Sequence, residues 1–207
     1  MKELSELGNI PVDFSVLESM FPNHKSIHNK ICEQEESGRI IRLKRGLYVV
    51  SPKVSGKLLS TELIANHIYG PSYISMETAL RHYGLIPETV YLTRSITTKH
   101  SRTFDNSLGR FEYIQCPKES FSIGIKQETN NNSAFLIASP EKALCDLIAY
   151  TANLNLRFQK ETITYLDEDI RLDMDAFYKM NTEIFEQYAE VGMKKQTIKN
   201  ILKLLKP

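Results

Sequence analysis

A chain of 207 residues, 42% of them hydrophobic and with a formal net charge of +1, can bury a full core; this excludes a disordered chain and a uniformly basic or acidic tail protein. No apolar run approaches the roughly 18 residues needed to cross a bilayer, and the opening MKELSELGN lacks the apolar stretch of a signal peptide. Cys32, Cys116 and Cys145 are odd in number, far apart and free of any C-x-x-C pair, so a reduced, cytoplasmic protein without a membrane partner is expected.

The near-neutral total hides an uneven layout. Arg39, Arg42, Lys44, Arg45, Lys53 and Lys57 give the segment from Arg39 to Lys57 six cations and no carboxylate. Between Phe158 and Glu190 the balance reverses to nine carboxylates against Lys160, Arg171 and Lys179, and the stretch from Met193 onward carries five lysines and no acid. Charge segregated in this way points to separate surfaces for separate partners.

In chain order, Phe14, Leu17, Met20 and Phe21 fall on one side of a short helix that Pro22 stops. Asn23 is placed to cap a second helix whose buried stripe is Ile27 and Ile31. That stripe turns Lys25, Ser26, His28 and Asn29 outward near the helix start, with Lys30 beside them. Gln34 occupies a position where the stripe would carry an apolar residue, and Glu33, Glu35 and Glu36 make the far end acidic. Gly38 ends the helix, and SGRIIRLKRGLYVVSP follows as a β-hairpin with Lys44, Arg45 and Gly46 at a basic tip, its cations expected to project.

Helix, tight turn, helix and basic ribbon is the order of a winged helix-turn-helix, in which the second helix enters the major groove and the wing reaches phosphates. Lys25 and Lys30 suit phosphate and His28 and Asn29 suit base edges, whereas the acidic end of the helix would repel DNA. A winged fold used only for protein docking fits the same pattern. His24, His28 and Cys32 recur every four residues, yet the outer two stand roughly 12 Å apart along a helix, too far to share one ion. No metal or cofactor is expected.

From Lys57 onward the texture changes. Leu58, Leu59, Leu63, Ile64 and Ile68 make a helical stripe that Pro71 breaks, and Ser72 is expected to open another helix, SYISMETALRHYG. VYLTRSITTK, SRTFD, GRFEYIQC, SFSIGIKQE and SAFLIAS then alternate like strands, predicting a largely antiparallel sheet of four or five strands, with a turn over 130–132. SPEKALCDLIAYT begins with Ser139 at the cap and Pro140 in the first turn, and lays Ala143, Leu144, Leu147 and Ile148 on the sheet. Helices are expected over Glu161 to Asp169, Met174 to Tyr188 and from about Lys194. The whole is an α+β chain, divided into a winged domain over 1–56 and a mixed C-terminal domain over 57–207.

No catalytic motif is present: there is no G-x-S-x-G, phosphate-binding loop, G-x-G-x-x-G or H-E-x-x-H. Asp105 and Glu112 with Lys126 loosely imitate a metal-nuclease cluster. Thr97, Thr98, Lys99, His100, Ser101 and Arg102 form a polar, cationic strand end that suits either phosphate or water.

GRIIRLKRGLYVV, YGPSYISMETALRHYGLIPE, TTKHSRTFDNSLGRFEY and LIASPEKALCDLI, in this order and spacing, resemble the AbiE-type antitoxins of abortive-infection, type IV toxin-antitoxin systems, described as predicted transcriptional regulators of viral (phage) defence. The resemblance runs from about Phe14 to Leu205. It implies a non-enzymatic repressor that binds double-stranded promoter DNA of its own operon and counters a separately encoded nucleotidyltransferase toxin. Carried over by matching motif, the DNA-contacting residues are Lys25, Ser26, His28, Asn29, Lys30, Arg42, Lys44 and Arg45, with no catalytic residue.

Overall fold

The hairpin at the head of the chain forms, and it belongs to two cores at once. The structure, a computed structural model, describes residues 3–87, 91–130 and 132–206; Met1, Lys2, Pro207, the first expected strand residue Val90 and the expected turn residue Asn131 lie outside them. Strand β1 (Val12–Asp13) and helix α1 (Phe14–Met20) lead to α2 (Ile27–Glu36), then β2 (Ile40–Lys44), β3 (Leu47–Val50) and the short α3 (Pro52–Ser55). These strands make a three-stranded sheet in the order β1-β3-β2.

Alternation along β3 sends successive side chains to opposite faces. Tyr48 and Val50 join Leu4, Leu17, Ile31 and Ile40 in a small core, while Leu47 and Val49 join Leu43 in the large core of the rest of the chain. The hairpin is therefore a wall shared by both cores, and packing is continuous across residue 56.

Beyond it lie α4 (Thr61–Ile68), β4 (Ser72–Ile74), α5 (Met76–His82), β5 (Leu92–Thr97), β6 (Arg102–Asn106) and β7 (Gly109–Gln115). Helix α6 (Lys118–Phe121), β8 (Ile125–Asn130), β9 (Ser133–Ala138), α7 (Pro140–Tyr150), α8 (Gln159–Thr164), α9 (Met174–Phe177), α10 (Thr182–Val191) and α11 (Lys195–Leu205) complete the α+β chain. The sheet has six strands in the order β6-β7-β5-β4-β9-β8. It is mixed where a mainly antiparallel one was expected, because β5–β7 and β4–β9 run parallel. Alternation marks a strand's faces and says nothing about which neighbour it takes.

Two helix boundaries also differ from the sequence reading. Ser72 to Ile74, expected to begin a helix, is a strand between β5 and β9, its three residues all buried. The single helix expected over Met174 to Tyr188 is two, with Asp173 and Asn181 each capping a new start through a side-chain oxygen.

Register places the layers. Ile74, Ser95, Tyr113 and Arg102 are aligned across four strands, and the Tyr113 hydroxyl donates to Ala65 O of α4 at 2.6 Å, so this face carries α4. Tyr73, Ile96 and Ile114 lie on the opposite face, where the Tyr73 hydroxyl reaches Asp146 of α7. Ser139 caps α7 by accepting the Lys142 N–H at 3.3 Å, with Pro140 in the first turn, as its sequence predicts.

Candidate nucleic-acid interface

The cap of the second helix lies three residues later than the expected Asn23. Ser26 is extended and its Oγ accepts the Asn29 N–H at 3.5 Å, leaving Asn23, His24 and Lys25 in the turn. At the other end Gly38, at φ +66°, lets the Arg39 N–H return to Gln34 O at 2.9 Å and aims the chain into β2. Lys25, Ser26, His28 and Asn29 are exposed. Lys30 is half-buried and tied to Glu33 at 2.8 Å.

The hairpin cations have three different fates. Arg42 lies opposite Tyr48, over its ring at 5.7 Å, and pairs with Glu35 of α2 at 2.8 Å. Lys44 does not project, a correction to the expected basic tip. An irregularity between Arg42 and Lys44 brings Lys44 opposite Leu47, turning it to the large-core face, where Nζ donates to Ile68 O at 2.5 Å and sits 6.0 Å from the Phe104 ring. Arg45 is exposed and in no ion pair among the described residues.

What sequence reading left undecided is the strand end after β5, which the fold brings to the hairpin. Lys99 donates to Gly70 O at 2.5 Å and lies 5.2 Å from the Tyr69 ring; Arg102, on the edge strand, lies 5.0 Å from Phe104. Tyr69 and Phe104 are themselves 5.6 Å apart, so Lys44, Lys99 and Arg102 gather around one aromatic pair. Burial pushes the Lys44 ammonium below its ordinary value; Asp13 pulls it up, and the Lys99 and Arg102 charges push it further down. The cationic text of the hairpin thus continues onto β6, more than fifty residues later in the chain. The cations of TTKHSR were the available signal, but nothing in sequence ties them to the hairpin.

The other chemical constellations come apart. Glu112 holds Arg94 at 2.9 Å and Asp105 faces Arg110 at 3.8 Å, while Lys126 is on β8, four strand positions from β7 and hence roughly 19 Å away. No nuclease-like cluster forms from these three. Among the described residues no three His, Cys, Asp or Glu side chains come together as metal ligands, His24, His28 and Cys32 included.

One cluster was missed. Lys142 and Asp146, both 0% exposed, pair at 2.9 Å inside α7. Tyr73 and Ser75 donate to Asp146 Oδ2 at 3.0 and 2.8 Å, and Lys142 donates to Ser120 O at 2.9 Å. An i,i+4 Lys and Asp within an apolar helix stripe was the visible signal. Sealed from solvent, the cluster joins α7 to β4 and α6 and offers no place for a substrate.

No family model matches the chain, and no curated protein matches it. Among the described residues no helix is long and apolar enough to cross a membrane.

Proposed function

We propose that the chain is a non-enzymatic, cytoplasmic DNA-binding repressor, with its first 56 residues used as a winged helix-turn-helix. The observation that carries this reading is the run of cations from the hairpin to the sheet edge. Arg45, Lys99 and Arg102 are exposed, Lys99 and Arg102 sit by the Tyr69–Phe104 pair that Lys44 of the hairpin also meets, and none of Arg45, Lys99 and Arg102 is in an ion pair among the described residues. Unneutralised cations on a ribbon and an adjoining edge suit a phosphate backbone. Exposed His28 and Asn29, on the capped first turn of α2, supply the side chains that would read base edges, flanked by Lys25 and Ser26.

In this reading Arg42 positions the hairpin against α2, Lys30 serves mainly its own helix, and Lys44 fastens the hairpin to the larger core; the phosphate contacts fall to Lys25, Arg45, Lys99 and Arg102. Resemblance to the AbiE-type antitoxins then supplies the setting: autoregulation of an operon encoding a nucleotidyltransferase toxin, which the remainder of the chain counters in phage defence.

An electrophoretic shift with the DNA upstream of the chain's own reading frame tests the proposal. Arg45→Ala and Arg102→Ala should each weaken binding to all sequences and reduce the slope of log affinity against log salt by about one per lost contact. Asn29→Ala should lower preference for the operator while leaving nonspecific binding intact. Absence of any shift at low salt overturns the reading in favour of a protein-docking module.

A further inference from the structure

Behind the outward face of α2 lies a cleft of about 680 Å³, bounded by the turn after α1, the inner side of α2 and the start of α3. Its volume falls in the range of roughly 300–1,000 Å³ typical of small-molecule sites. The apolar part of the lining is Leu4, Met20, Phe21 and Val54, and the charged part is Arg39, Lys53 and Lys30 against the single carboxylate of Glu3. Arg39 and Lys53 are exposed and neither is in an ion pair among the described residues.

Gln34 lines this cleft. The residue is only 4% exposed as a whole, while its side-chain amide is bonded by no described residue and is not sealed from the cleft. Its backbone C=O is satisfied by the Arg39 N–H at 2.9 Å, so the amide alone is left over. The amide presents a donor beside an acceptor, the pairing that a nucleobase edge complements. Next to it Phe21 and His24 form an edge-to-face ring pair at 5.9 Å, a wall suited to a flat heterocycle.

We propose that this cleft binds a nucleoside phosphate, with the base against Phe21 and bonded by the Gln34 amide, and the phosphate held by Arg39 and Lys53. The site is separate from the outward face of α2 and does not depend on DNA binding. A single nucleotide, rather than a strand, fits a cleft closed on three sides by the chain.

Calorimetric titration of the full chain with the four ribonucleoside 5′-monophosphates, the four nucleosides and inorganic phosphate tests it. At least one monophosphate should bind saturably at one site per chain, more tightly than its nucleoside or phosphate. Gln34→Leu should weaken that binding by about tenfold, equivalent to about 1.4 kcal/mol, while the unfolding midpoint stays level. Arg39→Ala with Lys53→Ala should weaken it at least as much and flatten its salt dependence. The proposal is overturned if no monophosphate binds at millimolar concentration, if phosphate alone binds as tightly, or if both variants bind like the parent. The electrophoretic shift above reads DNA binding independently, so either proposal can fail without the other.

Discussion

Lys142 and Asp146 show how much one misplaced charge would matter in this chain. Each is sealed from water, and burial raises the Asp146 carboxyl above its ordinary range while Lys142, Ser75 and Tyr73 oppose that rise. Removing one partner leaves the other charge buried and alone, so Asp146→Ala should destabilise by about 3–5 kcal/mol in urea denaturation. Lys142→Met combined with Asp146→Leu should recover much of that loss, since an apolar pair carries no desolvation penalty. A double variant as unstable as the single one would mean that the hydroxyls of Tyr73 and Ser75 depend on the carboxylate more than the charges do. Glu128 gives the complementary pH effect. Partial burial raises its carboxyl, but the bond from His82 Nε2 at 2.8 Å helps hold it below the ordinary 4.5. A carboxyl depressed in the folded state contributes its stability above the unfolded value and loses it as pH falls through the folded one. Unfolding midpoints of the parent should therefore fall more steeply below about pH 4.5 than those of Glu128→Gln.

At the scale of elements, the start of α7 is held by a cap and by a close approach. Ser139 Oγ accepts from the first turn, and Gly124 O accepts the Ser139 N–H at 2.7 Å. Gly124 has φ +62°, and a Cβ there would stand 2.8 Å from Lys142 Cβ, so a side chain is both strained and obstructed. Ser139→Ala should cost about 1 kcal/mol in chemical denaturation. Gly124→Ala should cost more than that, because Lys142 Cβ, Ile184 Cγ2 and the capping Ser139 Oγ would all lie within 3.2 Å of the new Cβ and cannot yield without disturbing the cap or the buried ion pair. The irregularity in β2 acts at the same scale. It turns a lysine that regular alternation would leave on the Arg42 face toward α4 and β6, so a cation expected to project is instead a fastening between elements.

Across the whole molecule, the shared hairpin makes two sequence regions one cooperative object. Leu43, Leu47 and Val49 are buried in the large core, while Ile40, Tyr48 and Val50, on the same two strands, are buried in the small one. Asn106, at the end of β6, ties the same wall by donating to Leu43 O at 3.0 Å, and Asn9 reaches across to Leu58 O at 2.8 Å and Ser133 Oγ at 2.9 Å. Calorimetric unfolding should consequently show one transition, and Leu47→Ala should lower it without splitting it, at a cost of about 2–5 kcal/mol. Two resolved transitions, with only one shifted by Leu47→Ala, would contradict the shared wall.

Local chemistry made much of this chain legible before any coordinate. Gly38 precedes the hairpin and Gly46 turns it, Ser139 and Pro140 start α7, and the apolar repeat of α11 buries Ile198 and Ile201, all written within a few residues of where they act. Sequence alone also marked Gln34 as out of place and Arg39 to Lys57 as a basic run without acids. Only tertiary structure decided which of those cations stay free. Pairing with Glu35, the turn of Lys44 into the larger core and the arrival of Lys99 and Arg102 beside the hairpin depend on strand neighbours far away in the chain. Periodicity records which side of an element is apolar, whereas the partner of each charge is set by the packing of elements whose order in space the sequence pattern does not contain.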